Sequence, residues 1–191
     1  MKNKVRTITY TAMLLALLIC LQWLGAQIVE PTLKQLITGS FVNCVLAVAA
    51  LLVGLPGAVV IAIVSPVMAF LLQIAPNFIT VAPIMAANVC FVVLIRLVAG
   101  NKSQWHWRKP AAVAVAAVAK FGVLYLLVVK LVCQVLAPEL LGKKLGDVVV
   151  LAPPMLKMLP AMFSWMQLVT ALIGGALAML ILPVLKKSLY K

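Results

Sequence analysis

The sequence predicts an all-α integral membrane protein with six transmembrane helices and both termini in the cytoplasm. Hydrophobic residues make up 66% of the 191 positions, and charged residues make up only 10%. A soluble domain of this size could not cover its surface with so little charge, so the lipid bilayer must be its solvent. Lys and Arg cluster between the apolar runs, which is the pattern of topology signals in membrane proteins.

Six apolar runs are expected to cross, or nearly cross, a hydrocarbon core of about 30 Å at about 1.5 Å per residue. The second run is short, so its helix is expected to begin a few residues earlier or to cross a thinned membrane. Gly and Pro at 54–57 allow a tight turn into the third run. The predicted spans are 7–25, 39–53, 56–74, 79–99, 111–136 and 162–185, within one domain of residues 1–191.

The basic residues outside the spans divide unevenly between the two sides of the membrane. Ten share the side of the N-terminus and four lie opposite, so both termini are expected in the cytoplasm, where Lys and Arg accumulate. The ten are Lys2, Lys4, Arg6, Arg96, Lys102, Arg108, Lys109, Lys186, Lys187 and Lys191. The four are Lys34, Lys143, Lys144 and Lys157, and the acids Glu30, Glu139 and Asp147 share their side. Trp105, His106 and Trp107 are expected to form an interfacial belt.

The segment 137–161 is the longest piece predicted outside the membrane, on the outer side. It is too broken by proline to span the bilayer and too apolar to extend freely into water. Its prolines are Pro138, Pro153, Pro154 and Pro160. We therefore expect this segment to lie over the outer mouth of the helix bundle as a lid.

Residues for catalysis and metal binding are scarce. The chain has three acids, one His and four Cys, each Cys in a different apolar run, and no HExxH motif, GxSxG motif or phosphate-binding glycine loop. We therefore expect no enzyme activity, no catalytic residues, no metal and no cofactor. The basic clusters alternate with apolar runs rather than forming a groove, so no nucleic-acid partner is expected. The cysteines are expected to be structural.

Polar side chains within the spans fall mainly in the outer half under this topology. Because polar groups inside a membrane are costly and usually face the bundle or a cavity, they predict an outward-opening ligand pocket. Hydrogen bonding between helices is the alternative for any single one of them. The candidate substrate-binding residues are Ser40, Asn43, Gln73, Lys130, Gln134, Trp165 and Gln167, and Gln22 lies in the same half.

Two lysines lie within the fifth span. Lys130 is four residues before Gln134 on one helical face, and it can either extend to water or offer its ammonium to an anionic group of a ligand. Lys120 lies deeper, and no intramembrane acid is present to pair with it. It must find carbonyl groups, water, the cytoplasmic interface or another subunit.

The first span contains two small residues, Ala12 and Ala16, four positions apart. Both methyl groups lie on one helix face and leave a shallow groove where another helix can approach closely. The stretch RTITYTAMLLALLICLQ around them resembles the start of the substrate-binding S components of energy-coupling factor (ECF) transporters, whose first helix has an AxxxA motif. The six spans, the termini and the turn in VGLPGAVVIAIVSP are also similar to that family, over essentially the whole chain.

The resemblance implies a high-affinity capture subunit for a vitamin-like micronutrient in the cell membrane of a prokaryote. It implies that the Ala12 and Ala16 face docks on a transmembrane T subunit, and that two cytoplasmic ATPase subunits, rather than this chain, use ATP. The stretch LKQLITGSFVN departs from the acidic sequence of flavin and pantothenate members, which leaves the substrate open. One alternative is a stand-alone small secondary transporter or channel, although the scarcity of polar residues in the inner half of the spans disfavours a channel. The other alternative is a membrane scaffold that transports nothing.

The charge asymmetry makes a testable prediction about topology. We expect the variant Lys143→Cys to react with a membrane-impermeant thiol reagent in intact cells, and Ser188→Cys to react only after the cells are opened. Mass spectrometry of the purified protein measures the labelling, with the unsubstituted chain as the background for its four native cysteines. The reverse labelling pattern would overturn the assignment of both termini.

Overall fold

The computed structural model describes residues 2–75, 77–100, 107–145 and 148–189. Most of the chain is helical, and two-residue strands form one antiparallel hairpin with Lys144 opposite Val149. The elements are α1 (Lys2–Ala26), α2 (Pro31–Val48, continued by a π-helical turn at Ala49–Val53), α3 (Leu55–Leu71), a 3₁₀ turn (Phe78–Thr80), α4 (Val81–Ala99), α5 (Arg108–Leu124, continued as π-helix over Tyr125–Leu136), α6 (Ala137–Leu140), β1 (Lys144–Leu145), β2 (Val148–Val149), α7 (Pro153–Met162) and α8 (Trp165–Leu189).

Five helical stretches in the described chain are long and apolar enough to cross a membrane. They are Lys4–Ala26, Pro31–Val53, Phe78–Ala99, Arg108–Leu140 and Trp165–Ser188. The helix Leu55–Leu71 is also apolar but has 17 residues, about 26 Å at 1.5 Å per residue. The prediction of an all-α, multi-pass membrane protein is therefore confirmed, and the predicted third span corresponds to a helix somewhat shorter than the others.

The second helix begins at Pro31 rather than at residue 39. This agrees with the expectation, based on its short apolar run, that the helix begins before residue 39. The Glu30 carboxylate caps it by accepting hydrogen bonds from the backbone N–H of Thr32, at 3.0 Å, and of Leu33. Pro at the first helical position has its backbone angle preset and needs no N–H there. The backbone hydrogen bonds from Leu33 and Thr32 also lower the pKa of Glu30 below its usual value.

The third helix ends at Leu71 rather than at residue 74. Gln73 takes a left-handed conformation with φ 57°, and the N–H groups of Ile74 and Ala75 both return to the carbonyl of Ala69. Such a left-handed residue satisfies the last free carbonyls of a helix and turns the chain away. The 56–74 prediction was therefore too long at its C-terminal end.

The fifth helical stretch runs from Arg108 to Leu140 without a break, beyond the predicted 111–136. The described residues of the following segment, 141–145 and 148–161, contain the two strands and most of α7. Two of its prolines, Pro153 and Pro154, lie in the first turn of α7, where proline is compatible with a helix. The side-chain amide of Asn77 donates to the carbonyl of Val150 and ties this segment to the connection between α3 and α4.

Small residues bring the central helices close together. Four small residues on α3, spaced three or four positions apart, are all buried, which allows close packing: Ala58, Ala62, Ser65 and Ala69. Gly174 on α8 lies against α2, and a Cβ placed there would be 2.4 Å from the Ser40 carbonyl oxygen and 2.7 Å from the Cys44 nitrogen. The contact between α2 and α8 therefore requires glycine.

Several residues that the sequence analysis used lie outside the described part of the chain: Lys102, Trp105, His106, Asp147 and Lys191. Of the predicted interfacial belt, the structure describes Trp107, whose side chain is 60% exposed. The side of the membrane on which each terminus lies stays a prediction.

The glycine contact between α2 and α8 can be tested with a matched pair of variants. Gly174→Ala should destabilise the protein, because the new methyl group meets backbone atoms of α2, and overpacking of this kind costs about 1–3 kcal/mol. Gly122 lies in α5, where an added Cβ would meet no atom within 4 Å apart from its chain neighbours and its own helix backbone. Gly122→Ala should therefore be neutral or stabilising, because alanine favours a helix by about 1 kcal/mol over glycine. Thermal unfolding of the purified protein measures both, and equal losses would contradict the proposed contact.

Candidate functional site

A cavity of about 290 Å³ opens among α1, α2, α3, α4 and α5 at the end of the bundle where α7 lies. The connections between α1 and α2 and between α3 and α4 also contribute to its rim. Its polar lining consists of Gln22, Lys34, Gln35, Thr38, Asn43, Ser65, Asn88, Lys120 and Gln167. Apolar residues complete the wall, including Val42, Pro66, Ala69, Ile84, Met158, Met162 and Phe163. This is the combination of apolar wall and a few polar groups that small-molecule sites have.

Lys120 of α5 lies against this cavity and is only 3% exposed. Its Nζ donates to Oδ1 of Asn43 on α2 and to Oδ1 of Asn88 on α4, both at 2.6 Å. The same Nζ lies 5.4 Å from the centre of the Phe91 ring, within the range of a cation–π interaction. Three helices therefore meet at one buried ammonium group.

No acidic side chain stands among the described residues that line the cavity. The acids in the described part of the chain are Glu30 and Glu139, and both are exposed. An ammonium has three N–H donors and the asparagines accept two of them, so hydrogen bonding is largely satisfied while the positive charge is not neutralised. The carbonyl groups that the sequence analysis required for Lys120 are thus side-chain amides.

Asn43 is held in place from its other side. Its Nδ2 donates to Oγ1 of Thr170 on α8 at 3.4 Å, and that hydroxyl donates to the carbonyl of Gln167 at 3.1 Å. The side chain of Gln167 in turn donates to the carbonyl of Met162 at the end of α7. A chain of hydrogen bonds therefore connects the ammonium of Lys120 to the segment that covers the cavity.

Four buried polar atoms in the described structure lack a hydrogen-bond partner, and all four belong to residues that line this cavity. They are Gln22 Oε1, Thr38 Oγ1, Ser65 Oγ and Asn88 Nδ2. A buried polar group without a partner costs about 1–3 kcal/mol, so proteins contain few of them. Their concentration around one cavity makes this cavity the candidate site for a small molecule.

Two of the seven predicted site residues, Asn43 and Gln167, line this cavity. The other five do not. Ser40 is buried but donates to the carbonyl of Leu36, and Gln73 and Gln134 are exposed. Lys130 is exposed, with its Nζ 5.9 Å from the centre of the Tyr125 ring.

Trp165 is 60% exposed and borders a neighbouring cavity of about 270 Å³. That cavity shares four lining residues with the first: Pro31, Gln35, Met158 and Met162. Trp165 therefore lies beside the rim of the main cavity rather than on its wall. A role in binding for it, and for the other four residues outside the cavity, stays a prediction.

Four residues that line the cavity were not among the predicted site residues: Asn88, Thr38, Ser65 and Lys120. Asn88 had a usable signal, because a single amide within an otherwise apolar helix is costly unless it has a function or a partner. Lys120 had the same signal, but its partner could not be found by looking for acids. Thr38 and Ser65 have short hydroxyl side chains that can bond within their own helix, so the sequence does not distinguish them from structural residues.

Comparison with known families supports the same class of protein. The family model described as "ECF transporter, substrate-specific component" matches residues 6–186. No curated protein and no solved structure matches the chain. The matched family is one of transporter substrate-binding subunits and not of enzymes.

The bridge of Lys120 to two asparagines makes a prediction about stability. Asn88→Leu should lower the melting temperature, because it removes one of the two oxygens that solvate a buried ammonium, at a cost of about 1–3 kcal/mol or more. Adding Lys120→Met to Asn88→Leu should recover part of the loss, since it removes the charge that was left under-solvated. Double-mutant analysis of thermal unfolding measures this coupling. Strictly additive losses would contradict the interaction.

Proposed function

We propose that this chain, which belongs to the substrate-specific components of ECF transporters, captures a small vitamin-like nutrient with high affinity in the cavity at Lys120. The observation that supports this site most strongly is the set of four unpartnered polar atoms, which all line the same cavity as the buried lysine. A ligand that satisfies them removes their desolvation cost and gains affinity from each.

The size and lining of the cavity support a small nutrient rather than a polymer. A volume of about 290 Å³ is at the lower end of the range of about 300–1,000 Å³ for small-molecule sites. Apolar residues such as Pro66 and Phe163 would contact the body of the ligand, and the buried polar groups would fix its orientation.

We further propose that α7 and the hairpin before it act as a lid. Met158 and Met162 of α7 and the following residue Phe163 line the cavity, so a nutrient that enters from this end must displace or pass them. Met side chains adapt to different shapes because they are unbranched and flexible. The bond from Asn77 to Val150 would hold the lid to the connection between α3 and α4 when it is closed.

The first helix supports a proposal for docking. Gln22 on its inner face is 4% exposed and lines the cavity, whereas Ala12 and Ala16 are exposed on the outside of the bundle. Two alanines four residues apart allow close backbone approach by another helix. We propose that this face contacts the transmembrane T subunit, and that ATP is used by two ATPase subunits in the cytoplasm of a prokaryotic cell.

The variant Ala12→Leu/Ala16→Leu separates capture from transport. The larger side chains should prevent close helix approach, so co-purification with the T subunit and the ATPases should be lost and uptake by cells should fall at least about tenfold. Binding should persist, because the cavity lies on other faces. It is measured by mass spectrometry of the small molecule that co-purifies with the isolated chain.

The matched control is Ala114→Leu/Ala176→Leu, which enlarges two alanines that are exposed on α5 and α8. This control should assemble and transport normally. If the Ala12 and Ala16 variant also assembles and transports normally, the docking face lies elsewhere and a stand-alone transporter becomes the better proposal. If no small molecule binds to the unsubstituted chain, the capture function itself is wrong.

A further inference from the structure

Resting on the proposed function, we infer that the substrate is a small carboxylate monoanion with a neutral N–H or O–H donor at its opposite end. The carboxylate would lie at Lys120 and Asn88, and the donor would face α1 and α3. Three features of the cavity lead to this class of substrate. They are the charge of Lys120, the particular atoms left without partners, and a described lining that contains basic but no acidic side chains.

The charge at Lys120 lacks a counter-charge in the described protein. The oxygens of Asn43 and Asn88 are dipoles with no net charge, although both accept from Nζ at 2.6 Å. An ammonium within a membrane protein is costly unless an anion pairs with it. The nearest acid in sequence to the rim, Glu30, is already bonded to backbone N–H groups at the start of α2. A ligand in the cavity is therefore the natural source of the negative charge.

Two hydrogen-bond donors converge next to this charge. The asparagine oxygens use two of the three N–H groups of the ammonium, which leaves the third for a ligand. Asn88 accepts from Lys120 with Oδ1, and the Nδ2 of the same amide has no partner. The free donors of Lys120 and Asn88 thus both lie next to the same Oδ1 atom of Asn88. A carboxylate has two oxygens and can accept from both donors.

The composition of the lining favours a monoanion over a dianion or a cation. Its described cations are Lys120 and the partly buried Lys34 near the rim, and it contains no arginine. A phosphate monoester has a charge of about −1.5 to −2 at pH 7 and is typically bound by arginine forks or helix N-termini. A cationic substrate would be repelled by Lys120, and the described lining contains no carboxylate to pair with it. In the described chain, no cluster of His, Cys, Asp and Glu can hold a metal ion.

The lining residues of α1, α2 and α3 favour a hydrogen-bond donor at the other end of the substrate. Gln22 donates from Nε2 to the Ser65 carbonyl at 3.5 Å and leaves its Oε1 without a partner. Oε1 can only accept, whereas the unpartnered hydroxyls of Ser65 and Thr38 can donate or accept. A hydroxyl or N–H group on the substrate satisfies this wall, and a purely apolar end would leave the Gln22 oxygen buried without a hydrogen bond.

Matched probes test the inference on the purified wild-type chain in lipid nanodiscs. They are benzoate, benzamide, benzylamine and phenyl phosphate, each with its 4-hydroxy derivative, and saturation-transfer NMR detects their binding. We expect benzoate to bind at least about tenfold more tightly than benzamide, as charge-assisted hydrogen bonds in a buried site predict. The hydroxyl of 4-hydroxybenzoate should strengthen binding further.

Variants locate the carboxylate. Asn88→Asp keeps the shape of the side chain and supplies an anion to Lys120 from within the protein, so the variant should fold and lose the preference for benzoate over benzamide. Lys120→Met should lose the same preference. The matched control is Lys143→Met, which removes one positive charge from an exposed position outside the cavity. It should retain the wild-type preference.

The outcomes separate this inference from the capture function. A wild-type preference for the amide, the amine or the phosphate would overturn the carboxylate class and leave capture intact. A preference for benzoate that persists in folded Asn88→Asp would overturn its location. If the chain binds none of the probes but co-purifies with a neutral or cationic molecule, the inferred substrate class is wrong and the capture function stands. A chain that holds no small molecule of any class would overturn the capture function.

Discussion

The arrangement of the bundle centre depends on the solvation of one buried ammonium group. Lys120 is on α5, and its two oxygen partners, Asn43 and Asn88, are on α2 and α4. Because a buried charge that loses a partner is strongly unfavourable, these three helices are constrained to meet at one point. The same group borders the cavity, so the interaction that holds these helices together also gives the cavity its buried positive charge.

Close helix packing makes this interaction possible. Gly174 lets α8 lie directly against α2 beside Asn43, and Thr170 of α8 then accepts a hydrogen bond from the amide of Asn43. In lipid, where helices gain little from hydrophobic association, small residues and interhelical hydrogen bonds supply much of the packing energy. The contact at Gly174 therefore has two consequences. It lets α2 pack on α8, and it positions the amide of Asn43 next to Lys120.

The first helix has a part in both of the proposed functions, substrate binding and docking. Its inner face contributes Gln22 to the cavity, while its outer face exposes Ala12, Ala16 and neighbouring large apolar residues such as Ile8 and Met13. Exposed apolar surface is ordinary where lipid is the solvent, so only the two small residues distinguish this face. A movement of α1 on a partner would reach the cavity directly through Gln22, which connects the two proposals physically.

The sequence by itself determined the membrane environment, the helical class and the family resemblance, because mean composition and the length of apolar runs depend on the solvent and not on which helices touch. It also identified Lys120 as a charge without an acidic partner, and Asn43 and Gln167 as candidate substrate-binding residues. Lys130, Gln134 and Gln73, which it also selected, do not line the cavity, so their role in binding stays a prediction. Depth in the membrane does not define which face of a helix points inward. Only the tertiary structure decided that, by bringing Asn43, Asn88 and Lys120 together from positions far apart in the chain. The packing of the helices determines which polar groups on separate helices form hydrogen bonds with one another. No local pattern along the sequence encodes those pairings.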